Sequence, residues 1–111
     1  MNIGVKKMRS SIASIVTLML MSGAAYSDKA VIVAYPGGCD YFIADGPKGL
    51  YLLEWYGGYD PTKGDEIFGD LDSYGFKDVY YPNRDREGRI WVEDYLLSQD
   101  SAIEQYRDHC D

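Results

Sequence analysis

The chain has 111 residues, with 11 Lys+Arg against 18 Asp+Glu, one His and two Cys. That length accommodates one domain and excludes a multidomain enzyme, and 46% hydrophobic residues exclude a disordered chain. The acidic balance disfavours nucleic acid and anionic membrane surfaces, whose phosphates it would repel.

Lys6, Lys7 and Arg9 give a basic start, Ile12 to Met21 form an apolar run, and Ser22 to Ser27 are mostly small. The apolar run is too short to span a bilayer, and the three parts in this order define a secretory signal. Ala25 and Ser27 suit the recognition positions of signal peptidase, so cleavage is expected before Asp28; cleavage after Ala24 is the alternative. Residues 1–27 are read as a signal peptide and 28–111 as a single exported domain, periplasmic or released to the medium. The absence of a second long apolar run argues against membrane insertion after cleavage. Losing 1–27 removes three basic and no acidic residues, which takes the formal charge from −7 to −10.

Cys39 and Cys110 both lie in the exported part. An oxidising compartment closes such a pair, and a loop of about 70 residues destabilises the unfolded chain by about 4 kcal/mol in the chain-entropy picture. There is no C-x-x-C, and only His109 could add a soft metal ligand. A structural disulfide is therefore expected, with no cofactor, tying the start of the second strand to the C-terminal segment.

In chain order, Ala30 to Tyr35 is a short β-branched strand ended by Pro36-Gly37-Gly38. Asp40 to Ala44 is a second, and the turn-forming tract Asp45 to Gly49 predicts a hairpin to Leu50–Tyr56. In that third strand Tyr51, Leu53 and Trp55 share one face while Leu50, Leu52, Glu54 and Tyr56 share the other. Both faces are largely apolar, so the strand should be central. Gly57 to Asp65 is a long loop. Strands follow at Glu66–Leu71, Phe76–Tyr81 and Arg89–Glu93, separated by turns at Asp72 to Gly75 and Asn83 to Gly88. Ser98 is a good N-cap for a helix from Gln99 to Asp108, whose Ile103 and Tyr106, with Cys110 beyond, would face the strands. Six short strands with tight turns and one short C-terminal helix define an all-β fold, a small antiparallel β-barrel, SH3-like or OB-like.

Nucleophilic catalysis is poorly supplied. Ser73, Ser98, Ser101 and Thr62 are the only hydroxyl nucleophiles after the signal, and the sole base of the usual kind, His109, stands beside a cysteine near the end of the chain. A non-enzymatic protein is expected. A small glycan-acting hydrolase is an alternative, with Glu54 as the acid on an apolar strand beside Trp55.

Asn83-Arg84-Asp85-Arg86-Glu87-Gly88 through Asp94 resembles an EF-hand calcium loop. The resemblance implies oxygen ligands from Asn83, Asp85, Glu87 and Asp94, with Gly88 at the sharp turn. It departs from the pattern at its first position, Asn, and its last, Asp, and Arg84, Arg86 and Arg89 add positive charge. A polar hairpin turn is the reading preferred here.

Ten of the 11 tyrosines and both tryptophans fall after residue 27. Tyr56, Tyr59, Tyr74, Tyr80 and Trp91 sit beside loops or on the polar phase of strands, and Trp91 alternates outward if Ile90 and Val92 face inward. Exposed aromatics near acids make a stacking surface for a peptide or a glycan, and the acidic field attracts cationic partners. The expectation is a binding module for a cationic protein or peptide, for example a cell-wall enzyme. Its contacts would come from Trp55, Tyr56, Tyr59, Tyr74, Tyr80 and Trp91, and its charge from Asp60, Asp65 and Asp70.

Overall fold

The computed structural model describes residues 28–111; the expected signal peptide, 1–27, lies outside the described residues. Alternation begins at once in β1 (Asp28–Ala34), where Ala30 and Ile32 are buried and Val31 and Val33 are exposed. β2 (Tyr41–Gly46) and β3 (Gly49–Gly58) form the expected hairpin. The strands run further into the turn tract than the sequence suggests, pairing as far as Gly46 opposite Gly49 and leaving only Pro47 and Lys48 at the tip.

The long loop after β3 leads to β4 (Glu66–Gly69), which pairs with β1 rather than with β3. β5 (Gly75–Tyr81) and β6 (Arg86–Leu97) form a second hairpin, and β6 lies along β3. The ring is closed in the order β1-β2-β3-β6-β5-β4, with every pair antiparallel. Two three-strand meanders thus meet along β3–β6 and β1–β4. The fold is the small antiparallel barrel with one C-terminal helix that the pattern implies, with one strand more than the five-strand OB-fold.

β3 is apolar on both faces because each face is covered. Tyr51 and Leu53 join Ile32, Phe42, Ile67, Leu71, Val79, Tyr81, Ile90 and Val92 inside the barrel. Leu52 points the other way and packs with Ile43 and Ala102 under helix α1 (Gln99–Cys110). Each large apolar side chain so buried stabilises the fold by roughly 1.5–3 kcal/mol relative to exposure.

Ser98 caps α1 as expected, its hydroxyl accepting the Ser101 N–H at 3.2 Å. The buried face is turned one residue from the sequence expectation: Ala102 and Tyr106 face the sheet, while Ile103 is exposed. A small alanine lets the helix approach Leu52 closely, and Ala102, Tyr106 and Cys110 recur every four residues along one stripe. The expected disulfide is present: Cys39 and Cys110 are joined across 71 residues with their Cα atoms 5.7 Å apart. It ties the segment before β2 to the end of α1, so the helix is clamped at both ends of its contact with β2 and β3. Among the described residues no helix is long and apolar enough to cross a membrane.

Candidate binding face

The outer surface of β2, β3, β6 and β5 carries a transverse row of side chains. Tyr41 stands opposite Glu54, Glu54 opposite Trp91, and Trp91 opposite Phe76. Directly opposite residues on adjacent strands lie within side-chain reach, so the register alone builds a continuous strip. Phe76 meets Trp91 edge-to-face at 4.8 Å and Tyr56 edge-to-face at the same distance. Tyr56 and Phe76 remain 50% and 47% exposed. At the other end the His109 ring stacks on Tyr41 at 4.3 Å, where the disulfide has brought the end of α1.

Carboxylates are set among these rings. Glu93 accepts the Trp91 indole N–H at 3.1 Å and lies 3.5 Å from His109. Burial and the neighbouring Glu54 carboxylate push the Tyr41 hydroxyl up to about 12. Tyr74, 62% exposed, packs edge-to-face on Tyr95 and points its hydroxyl at Asp94. The Arg89 guanidinium lies over the Phe76 ring, 5.0 Å from its centroid. The face therefore already holds a cation on one of its rings, an attraction worth about 0.5–1 kcal/mol when exposed.

The residues expected from sequence divide accordingly. Tyr56, Tyr74 and Trp91 come together on this face. Tyr80 lies further along β5, its hydroxyl donating to Asp85 at 2.7 Å. Trp55 and Tyr59 instead pack against the barrel interior, and the Trp55 indole N–H donates to the Tyr59 carbonyl at 3.1 Å. Asp70 is engaged by Lys77 at 3.2 Å, and Asp60 lies at the barrel mouth, accepting the Tyr35 hydroxyl at 3.0 Å.

Asp65 is 1% exposed and presents no surface charge. It accepts the Tyr59 hydroxyl at 2.8 Å, the Thr62 N–H at 3.0 Å and the Arg84 Nε at 2.9 Å. Burial alone would raise its carboxyl, but these donors outweigh it and hold the group below its ordinary 3.8. Asp65 is thus the centre of a polar corner that pins the β3–β4 loop to the β5–β6 turn.

That turn is a hairpin and does not curl around a centre. Asp85 sits at φ 53° at its tip, and Arg86–Leu97 runs on as a strand. At about 3.3 Å per residue, Glu87 and Asp94 stand on the order of 20 Å apart, so Asn83, Asp85, Glu87 and Asp94 do not converge. Asn83 instead accepts the Glu66 N–H, and Asp94 binds Gln105 and the Tyr95 N–H. Among the described residues no group of three or more His, Cys, Asp or Glu side chains is placed to hold a metal ion.

Glu54 points outward into the aromatic row. Sequence reading missed Phe76, Tyr41 and His109. Phe76 shares its parity on β5 with Tyr80, opposite to the buried Val79 and Tyr81, which was a usable signal. Tyr41 and His109 had none, because only the disulfide and the packing of α1 bring them together. A Ser73–Lys77 contact was also invisible; there the Lys77 ammonium is shared between the Ser73 hydroxyl and its ion-pair partner Asp70, so it acts as a donor.

No protein-family model matches the chain, and neither a curated protein nor a solved structure matches it.

Proposed function

We propose that this protein is an exported, disulfide-closed barrel that acts by binding a cationic protein or peptide through the outer face of β2, β3, β6 and β5. The observation that carries the reading is the Tyr56–Phe76–Trp91 ring cluster, whose Tyr56 and Phe76 stay half exposed, beside Glu54 and Glu93. Aromatic anchors near carboxylates favour lysine and arginine side chains, which stack their stems on rings and place their charge against an acid. The charge of residues 28–111 adds long-range attraction for the same partners. Export accords with a disulfide linking the only two cysteines, since such bonds persist in oxidising compartments.

The test is a binding series with the purified protein immobilised against a basic cell-wall hydrolase, an acidic protein of similar size and soluble glycan fragments. Binding of the basic protein that weakens with salt and is lost in Trp91→Ala supports the reading. Preference for the glycan, or binding indifferent to both salt and Trp91→Ala, overturns it.

A further inference from the structure

At one end of the aromatic row the protein places a cation of its own. Val79 and Ile90 are buried, so Phe76 and Asp78 on β5 and Trp91 and Arg89 on β6 all alternate outward. Phe76 stands opposite Trp91, and Asp78 opposite Arg89. The Arg89 side chain leans to its diagonal neighbour: its guanidinium carbon lies over the Phe76 ring, 5.0 Å from the centroid, with a nitrogen 3.6 Å from the Asp78 carboxylate. Both contacts are made in water, since the Arg89 and Asp78 side chains are 56% and 80% exposed. Ion pairs and ring contacts this exposed hold weakly, so the guanidinium is exchangeable.

A second observation is the floor beside it. On β3 Glu54 fills the position opposite Trp91, but the position opposite Arg89 is Gly57. A Cβ built on Gly57 would meet nothing within 4 Å. The β3 side of Arg89 is therefore clear, with room for a second side chain to arrive or for Arg89 to swing aside without movement of the backbone. The chemistry of the slot is specific. A planar guanidinium stacks on a ring while its N–H groups reach a carboxylate; an ammonium has no such plane and is more strongly hydrated.

We propose that Phe76, Asp78 and the clear floor at Gly57 form an arginine subsite of the aromatic face, and that Arg89 fills it in the free protein as a built-in competitor which a partner's arginine displaces. The inference rests on the cationic partner proposed above and narrows it: the anchoring side chain is arginine rather than lysine. The exchange is balanced at the slot itself. One guanidinium leaves as another enters, the Phe76 ring stays covered and Asp78 stays paired. The net gain comes from what the partner adds around the slot, against Tyr56, Trp91 and the carboxylates of Glu54 and Glu93.

The experiment is a titration of the disulfide-intact protein with hexa-arginine and, in parallel, with hexalysine of equal charge, at about 0.15 M salt. Hexa-arginine should bind the wild type more tightly than hexalysine. Arg89→Ala and Arg89→Gln should each tighten hexa-arginine about fivefold, the size expected for vacating two weak contacts, and hexalysine by less than about twofold. Lys63→Ala removes the same charge from the β3–β4 loop and should change either affinity by less than about twofold. Phe76→Leu should weaken hexa-arginine and abolish its advantage over hexalysine. A direct readout follows Arg89 itself. Its Nε–H resonance, displaced by the Phe76 ring current in the free protein, should move to its Phe76→Leu position as hexa-arginine saturates. Equal tightening of both peptides in the Arg89 variants, no tightening, or an Arg89 resonance unmoved by bound hexa-arginine overturns the subsite. If the basic protein still binds in a salt- and Trp91-dependent way, only the subsite falls; if that binding is also absent, the reading of the whole face falls with it.

Discussion

Two regions of this barrel are built from the same materials and end in opposite states. The Asp65 corner and the outer aromatic row each combine tyrosines, a carboxylate and an arginine. In the corner every group is turned on another: Tyr59, Thr62 and Arg84 all donate to one buried acid, and Arg86 covers the Tyr59 ring at 5.6 Å. In the row Tyr56, Phe76 and Trp91 meet edge-to-face, and about half of the Tyr56 and Phe76 surface is left to solvent. Residue type therefore does not separate the scaffold from the proposed recognition surface here. What separates them is whether the local geometry satisfies the side chains internally. A saturated cluster holds the fold, while an unsaturated one has contact area left for a partner.

The largest test of that contrast is the crosslink. Replacing Cys39 and Cys110 together by Ser should cost about 4 kcal/mol, read by denaturant unfolding, given the 71-residue separation. The loss should be felt unevenly. Amide exchange should rise first along α1 and at the His109 end of the row, and last around Asp65; uniform acceleration would erase the distinction between the two regions. Next in size, Asp65→Ala should cost about 3 kcal/mol, because it strands the Thr62 N–H and the Tyr59 hydroxyl and releases Arg84. Partner binding by the protein that remains folded should be unaltered. Trp91→Ala should do the reverse, weakening partner binding by at least about tenfold with a smaller effect on stability. If Asp65→Ala impaired binding more than Trp91→Ala did, the assignment of the two regions would be inverted.

Titration sharpens the comparison with smaller effects. The carboxyls of Asp65 and Asp72 are held below their ordinary 3.8 against the opposing effect of burial, Asp65 by Thr62, Tyr59 and Arg84, and Asp72 by Lys48 and Tyr51. A depressed acid contributes stability that is fully present above the unfolded value, about pH 4, and is lost as pH falls through the folded one. Melting temperature should thus drop below about pH 4, less steeply in Asp65→Asn. On the row the sign is opposite. Tyr41, pushed up to about 12 by burial and by Glu54, favours its neutral form when folded. Its contribution is complete below about pH 10, the unfolded value, and is lost as pH rises towards 12. Tyrosinate absorbance should report it, and Glu54→Gln should shift that transition downward.

Most of the secondary structure was legible because period-two alternation, turn residues and an N-cap are local properties of the chain. Ile32 and Phe42 had to face inward, and Ser98 had to start the helix. The exceptions lie where a second surface intervenes. The helix stripe is shifted from Ile103 to Ala102, because the fit against Leu52 favours the smaller residue over the more apolar one. The turn tract Asp45 to Gly49 shrinks to Pro47 and Lys48, since strand pairing extends into it. The candidate face was only half legible. Trp91, Tyr56 and Tyr74 were visible as aromatics on a polar phase, but Asp65 looked no different in sequence from Asp60, five residues earlier.

The order of the amino acids was sufficient for an all-strand domain with a capped C-terminal helix, for its strong acidity and for the pairing of its two sulfurs, since each follows from local propensity, composition or simple count. Which strands became neighbours was decided in three dimensions. The β3–β6 contact sets Glu54 beside Trp91, and the end of α1 lays His109 on Tyr41, through registers between segments distant in the chain. No nearest-neighbour preference encodes such a register; it is set by the joint packing of the barrel interior and the helix against the sheet.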